Sequence, residues 1–138
     1  MPASDSSLAG GCHCGAVRYE ARGKPFHATI CHCQDCRRVA GAPLVAWFSV
    51  RARDFHVVRG RIRPYASSSR AERGFCGDCG TPLTFRAHDL PEEIDVATAT
   101  LDDPAAVPPA DHVRVASGIP WAAPCDGLPQ HREGRPQG

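Results

Sequence analysis

Cys31-His32-Cys33-Gln34-Asp35-Cys36-Arg37-Arg38 puts three cysteines within six residues, too dense for a packing role. Further cysteines stand in pairs on either side, Cys12/Cys14 and Cys76/Cys79. Close-set thiols of this kind serve as metal ligands or disulfide partners, and the rest of the chain decides between them. A disulfide framework needs an oxidising compartment, and the N-terminus has no basic stretch followed by an apolar one. A Cys-X-Cys pair also strains an internal bridge. The pattern therefore predicts reduced cysteines, a cytoplasmic protein, and a small domain folded around zinc with the central triplet as its reactive site.

Composition agrees. At 138 residues the chain suits one domain with one core. Leu, Ile, Val and Phe supply 25 residues, a share typical of disordered chains, but a net charge of +1 lacks the self-repulsion that keeps such chains open. Stability must come from another source. One structural zinc contributes roughly 10–16 kcal/mol, against ~5–15 kcal/mol for the net stability of a whole domain. No apolar run approaches the ~18 residues that would span a membrane. Fifteen arginines and Lys24 are nearly balanced by acids, which argues against a dedicated nucleic-acid or membrane binder. One segment departs from neutrality: between Arg51 and Arg73, seven arginines are opposed only by Asp54 and Glu72. It reads most simply as a solvated strand face.

Elsewhere the periodicity is that of strands. Val17, Tyr19 and Ala21 alternate with Arg18 and Glu20, and Ala28-Thr29-Ile30 delivers Cys31 and Cys33 at its end. Gln34 to Ala40 has room for one or two helical turns, ended by Gly41 and Pro43. Leu44 to Val50 is the longest apolar run and predicts a buried strand. Phe55 to Val58 and Ile62 to Tyr65 flank Gly60 as a hairpin whose Arg59, Arg61 and Arg63 share a face. Ser67 to Ser69 reads as a loop, Ile94 to Thr100 as a strand, and His112 to Ala116 as a last, weak one. The expected organisation is a flexible N-terminus over 1–9, a zinc-binding domain over 10–130 and a disordered tail over 131–138. The fold class is mainly β, a sandwich or folded-over sheet with few or no helices.

In Cys76-Gly77-Asp78-Cys79-Gly80 the chain must curl so that both sulfurs converge on one ion. Small residues let backbone N–H groups turn toward the thiolates, and Gly80 takes φ > 0 without penalty. Cys12 and Cys14, two apart in an extended segment, point to the same side. If these four close one site, Cys31, Cys33 and Cys36 remain as three ligands with an exchangeable fourth position, the pattern of catalytic zinc. Spacing alone also permits Cys33 and Cys36 to join Cys76 and Cys79, leaving Cys12, Cys14 and Cys31. Arg37 and Arg38 either offset the charge of the triplet's thiolates or are plain surface residues.

The motifs Gly11-Cys12-His13-Cys14-Gly15, Cys31-His32-Cys33-Gln34-Asp35-Cys36-Arg37 and Phe75-Cys76-Gly77-Asp78-Cys79-Gly80-Thr81-Pro82-Leu83 resemble the glutathione-dependent formaldehyde-activating enzymes, a family that includes centromere protein V. Thr100-Leu101-Asp102-Asp103-Pro104, His112 and Pro120-Trp121 extend the match. The resemblance implies a zinc-binding β-sandwich of the β-tent type with two zincs per chain. It assigns Cys12, Cys14, Cys76 and Cys79 to a structural zinc, and Cys31, Cys33 and Cys36 to a catalytic one. Cys125 lies outside these motifs as a spare thiol that could reach the open position.

The resemblance further implies a carbon–sulfur lyase-type enzyme that joins formaldehyde and glutathione as S-hydroxymethylglutathione, or acts on a similar thiol and small aldehyde. His32 is read as a surface histidine, with a proton shuttle as the alternative, and the Arg59/Arg61/Arg63 face as a conceivable seat for glutathione's carboxylates. The competing reading is a non-catalytic zinc module whose arginine-rich hairpin contacts an acidic partner. A scaffold with no small-molecule ligand is a third.

Overall fold

The computed structural model describes residues 7–135. Ten strands run in the order β1 (Leu8–Gly11), β2 (Arg18–Ala21), β3 (Phe26–Cys31), β4 (Val45–Arg51), β5 (Phe55–Arg59), β6 (Ile62–Ser68), β7 (Ala71–Cys76), β8 (Pro82–Ala87), β9 (Glu93–Ala97) and β10 (Asp111–Val113). The one α-helix among the described residues, α1 (Gln34–Ala40), follows β3. It ends at Gly41, where the sequence predicts a stop, and the φ of 63° there makes a left-handed cap. No helix of the described residues is long and apolar enough to cross a membrane.

The strands form two sheets, β1-β2-β5 and β10-β3-β4-β9-β8-β7-β6. Pairing is antiparallel except between β10 and β3. The fold is therefore mainly β, as expected. Tyr19 and Ala21 from the small sheet pack with Phe48, Val50, Leu83 and Val96 from the large one to make the main core. Strand alternation does the rest. In β4, Phe48 and Val50 enter that core, while Trp47 joins Cys31, Cys36 and Ala97 in a second cluster on the opposite face. The long apolar run is thus explained: β4 is covered on both sides.

Three expectations are corrected. Segments β5 and β6 are not a hairpin, because β5 pairs with β2 and β6 with β7. The chain changes sheets at Gly60, so the hairpin face of Arg59, Arg61 and Arg63 required by the partner-binding reading does not form. The predicted strand from Ile94 stops at Ala97 and turns into a 3-10 segment over Thr98–Thr100. At the termini, Leu8 and Ala9 already belong to β1. The segment from His131 to Glu133 is hydrogen-bonded back to Arg114, Val115 and Ala116, while Arg135 holds Asp111 through two contacts of 3.1 Å. The remainder of the predicted flexible ends, 1–6 and 136–138, lies outside the described residues.

Gly60 has φ 72°, and a Cβ there would lie 2.0 Å from the Ala16 carbonyl oxygen. Gly60→Ala therefore combines a left-handed backbone penalty of roughly 1–2 kcal/mol with a clash against backbone that cannot rotate away. We expect it to lower unfolding free energy by at least about that amount in urea titration. An unchanged midpoint would show that the crossover is not under this constraint.

Candidate metal centres

The cysteines gather into two groups. In the first, ligand atoms of Cys12, Cys14, Cys76 and Cys79 all lie within 4.8 Å of one another. Cys12 and Cys14 sit on the turn joining β1 to β2, Cys76 and Cys79 on the turn joining β7 to β8. The sequence predicts an extended segment for Cys12 and Cys14, and the structure corrects this to a turn. Cys12 opens a turn closed by the Gly15 N–H donating to the Cys12 carbonyl at 3.2 Å, and Gly15 has φ 83°. A turn brings the sulfurs together where a strand would only align them.

Distances test what the group can hold. Cys12 and Cys14 Sγ are 3.7 Å apart, Cys14 and Cys76 Sγ 3.8 Å. A disulfide needs ~2.0 Å, whereas a tetrahedron of sulfurs ~2.3 Å from a central zinc has an edge of about 3.8 Å. Backbone donors complete the cage. Cys76 Sγ accepts N–H groups from Asp78 and Cys79 at 3.4 and 3.5 Å, and Cys12 Sγ accepts the Val17 N–H at 3.2 Å. Gly80, at φ 84°, closes the knuckle by donating to the Cys76 carbonyl at 2.8 Å. The Thr81 hydroxyl, 3.2 Å from Cys79 Sγ, is the main cause that draws the Cys79 thiol down to about 5. Four sulfurs presented this way fit a tetrahedral metal ion.

Cys31, Cys33 and Cys36 form the second group, again within 4.8 Å. Cys31 ends β3 and Cys33 caps α1, its Sγ accepting the Cys36 N–H at 3.3 Å. Hydrogen bonds from the Cys31 and Cys36 thiols, then from the Cys36 and Asp35 backbone, pull Cys33 down to about 2. The same sharing pushes Cys31 up. A thiol group in which hydrogen bonds favour a thiolate is suited to bind a metal cation. Cys125 is exposed and joins neither group.

The triplet opens into a cavity of about 790 Å³ on the outer face of the large sheet. Trp47 and Phe85 form an apolar wall with ring centroids 6.4 Å apart. Arg73 and the Ser49–Asp95 pair, hydrogen-bonded at 2.6 Å, supply buried polarity. Burial outweighs the Ser49 hydrogen bond and raises the Asp95 carboxyl above the usual carboxylate range. Arg61 and Arg63 line a separate hollow beside Cys76, so they do not serve this cavity.

The family described as glutathione-dependent formaldehyde-activating enzyme matches residues 7–117. The chain belongs to this family. It is 38% identical over 76 residues to an uncharacterised lyase of Schizosaccharomyces pombe, covering 55% of each chain. It is 30% identical over 110 residues to a Halomonas elongata protein named "Putative glutathione-dependent formaldehyde-activating enzyme", covering 74% of this chain and 70% of that one. The chain thus spans little more than half of the yeast relative. A crystal structure of a Rhodobacter sphaeroides protein superposes with a TM-score of 0.57 at 28% identity, covering 89% of this chain and 98% of that one.

For this formaldehyde-activating-enzyme family member, the surroundings of the triplet differ from the sequence reading at His32 and Arg73. His32 is not at the surface: it is 1% exposed and pointed away from the cavity. Its Nε2 lies 2.9 Å from His112 Nδ1, and His112 Nε2 lies 2.9 Å from the Asp126 carboxylate. Since a carboxylate only accepts, His112 donates to it from Nε2, and its Nδ1 shares a hydrogen bond with His32 Nε2. The pair fastens the 120s loop to β3 and β10. Arg38 is exposed, and Arg37 reaches the Ser117 carbonyl at 3.4 Å, so neither faces the sulfurs. The cation beside the triplet is instead Arg73, with Nη2 4.0 Å from Cys36 Sγ. Its signal was present in β7: Ala71 and Arg73 are buried and Glu72 between them is exposed, an arginine in the inward phase of a strand.

Proposed function

We propose that the protein is a cytoplasmic carbon–sulfur lyase-type enzyme with two zinc ions. It joins glutathione or a similar thiol to formaldehyde or another small aldehyde, and reverses that step. The observation that carries this reading is a three-thiol group opening into a cavity, while Cys12, Cys14, Cys76 and Cys79 form a self-contained group. Three protein ligands with room for a fourth is the pattern of catalytic zinc, and four is that of structural zinc. A volume of about 790 Å³ also lies within the ~300–1,000 Å³ typical of small-molecule sites.

In the forward direction the thiol loses its proton, its sulfur pair forms the C–S bond, and the carbonyl π pair moves onto oxygen. That oxygen then takes a proton to give the hydroxymethyl thioether. Cys31, Cys33 and Cys36 would hold the zinc, which supplies a cationic centre favouring the thiolate form of an incoming thiol. The chain's own residues do the remainder. Trp47 and Phe85 exclude water from one side, and Arg73 keeps positive charge beside the sulfurs. The exposed Arg114 at the cavity wall suits a carboxylate of the thiol's peptide portion.

Formaldehyde and thiols combine without a catalyst, so the test is a rate above background. Metal-loaded protein should accelerate adduct formation, should contain two zincs per chain, and should show one of them perturbed on glutathione titration. A rate equal to background, or one tightly held zinc indifferent to thiol, would overturn the reading.

A further inference from the structure

Arg73 is 6% exposed, yet its side chain lines the cavity of the triplet. Its Cζ lies over the Phe85 ring, 4.9 Å from the centroid, a cation–π contact that helps hold the guanidinium in place. Nη2 is turned to Cys36 Sγ. Nε and Nη1 are buried without any hydrogen-bond partner among the described residues. No carboxylate pairs with it there: the ion pairs of the structure involve other residues, and the buried Asp95 is engaged by Ser49.

A buried guanidinium with idle donors is costly, because desolvating a charge is offset only by partners that satisfy it. Native proteins rarely leave such groups unmet, and a ligand, an ion or a water supplies the missing partner where the protein does not. Where Arg73 stands decides which ligand atom that is. It is within 4.0 Å of one sulfur of the triplet, at the reacting end of the cavity. A peptide thiol's carboxylates lie several bonds from its sulfur and reach outward toward exposed Arg114. The oxygen on the carbon attached to sulfur is the anionic group that forms near Arg73.

We propose that Arg73 is a catalytic residue: it receives the aldehyde-derived oxygen and stabilises the negative charge that grows there as the C–S bond forms. The proposal rests on the lyase reading and deepens it. When sulfur adds to the carbonyl carbon, the π pair arrives on oxygen opposite the idle donors of Arg73. The proton released by the thiol then reaches that oxygen through solvent. Phe85 and Cys36 already hold the guanidinium at the reacting end of the cavity, so a small shift of its head group suffices to present these donors to the oxygen.

The experiment compares wild type with Arg73→Met and Arg73→Lys. Metal content and thermal melting are measured first. Two ligands are then titrated against Trp47 fluorescence in a Trp121→Phe background. Glutathione S-sulfonate carries anionic oxygens on the atom bonded to sulfur, and S-methylglutathione carries none. Wild type should prefer the S-sulfonate by at least tenfold. Arg73→Met should keep its metal, abolish the preference, and leave S-methylglutathione affinity within about twofold. Arg73→Lys, which keeps the charge, should retain part of the preference and serves as the readout if the methionine variant does not fold. In turnover, Arg73→Met should lower the saturated rate by about 10²–10³-fold, the loss seen on deleting one oxyanion donor. An unchanged preference would overturn the proposal. So would loss of metal in both variants, which would make Arg73 a counter-charge for the thiolates, or a loss of S-methylglutathione affinity equal to that of the S-sulfonate. Failure of the lyase reading is seen separately, as wild-type turnover equal to background.

Discussion

Cys76→Ser is expected to unfold the domain. Cys76 is 1% exposed, and its sulfur accepts two backbone N–H groups while lying 3.8 Å from Cys14 Sγ. The four-cysteine group it belongs to takes two members from the small sheet's β1–β2 turn and two from the large sheet's β7–β8 turn. A metal ion held there would tie the two layers at one end of the sandwich, across a sequence separation of more than sixty residues. The core between those layers is small, because the chain is poor in large apolar residues. Loss of a contribution of roughly 10–16 kcal/mol exceeds the ~5–15 kcal/mol that a domain of this kind holds in reserve. Serine is a far weaker zinc ligand, and it leaves three thiolates facing one another without their cation. Far-UV circular dichroism and thermal melting check this. Prolonged treatment of the wild type with a strong chelator should reproduce the same loss of the cooperative transition. A Cys76→Ser protein melting at the wild-type temperature would show that the two sheets do not depend on this group.

Much of this arrangement was legible in the sequence, for a local reason. Metal knuckles are made by residues two or three apart, so spacing carries their geometry. The glycine after Cys79 could be read as a left-handed closing position without knowing what surrounds it. The same holds for α1, whose Gly41 cap follows its seven residues directly. Alternation along Val17, Tyr19 and Ala21 likewise reports a face, and all three are buried. The failures are non-local. Gly60 between two β-prone segments has the appearance of a hairpin turn, and only the approach of Ala16 to within contact of Gly60 reveals a crossover between sheets. His32 sits in a polar motif, but its burial depends on His112 and Asp126, about 80 and 94 positions away. Arg73 was counted with six other arginines as a solvated face. Its burial follows from strand phase against β8 and from the aromatic ring of Phe85, neither of which a charge count contains.

Cys33→Ser should behave in the opposite way, leaving a folded protein with the catalysed rate gone and one metal ion fewer. All three members of the triplet fall within six residues at the end of β3 and the start of α1. A metal held there joins no distant parts of the chain, and it sits on the outer face of the large sheet, away from the main core. Cys33 has one structural task, to cap α1 by accepting the Cys36 N–H at 3.3 Å. Serine is among the preferred residues at that position, so the helix start is kept and is expected to shift by less than ~1 kcal/mol. The chemistry has no such substitute. Hydrogen bonds from Cys31 and Cys36 hold the Cys33 thiol low and favour its thiolate. Removing it leaves two ligands where three are needed. Melting within a few degrees of wild type, metal analysis one ion lower, and adduct formation at the uncatalysed rate would together separate the two groups by role. Equal unfolding by Cys33→Ser and Cys76→Ser would make both groups structural and leave the cavity without a reactive centre.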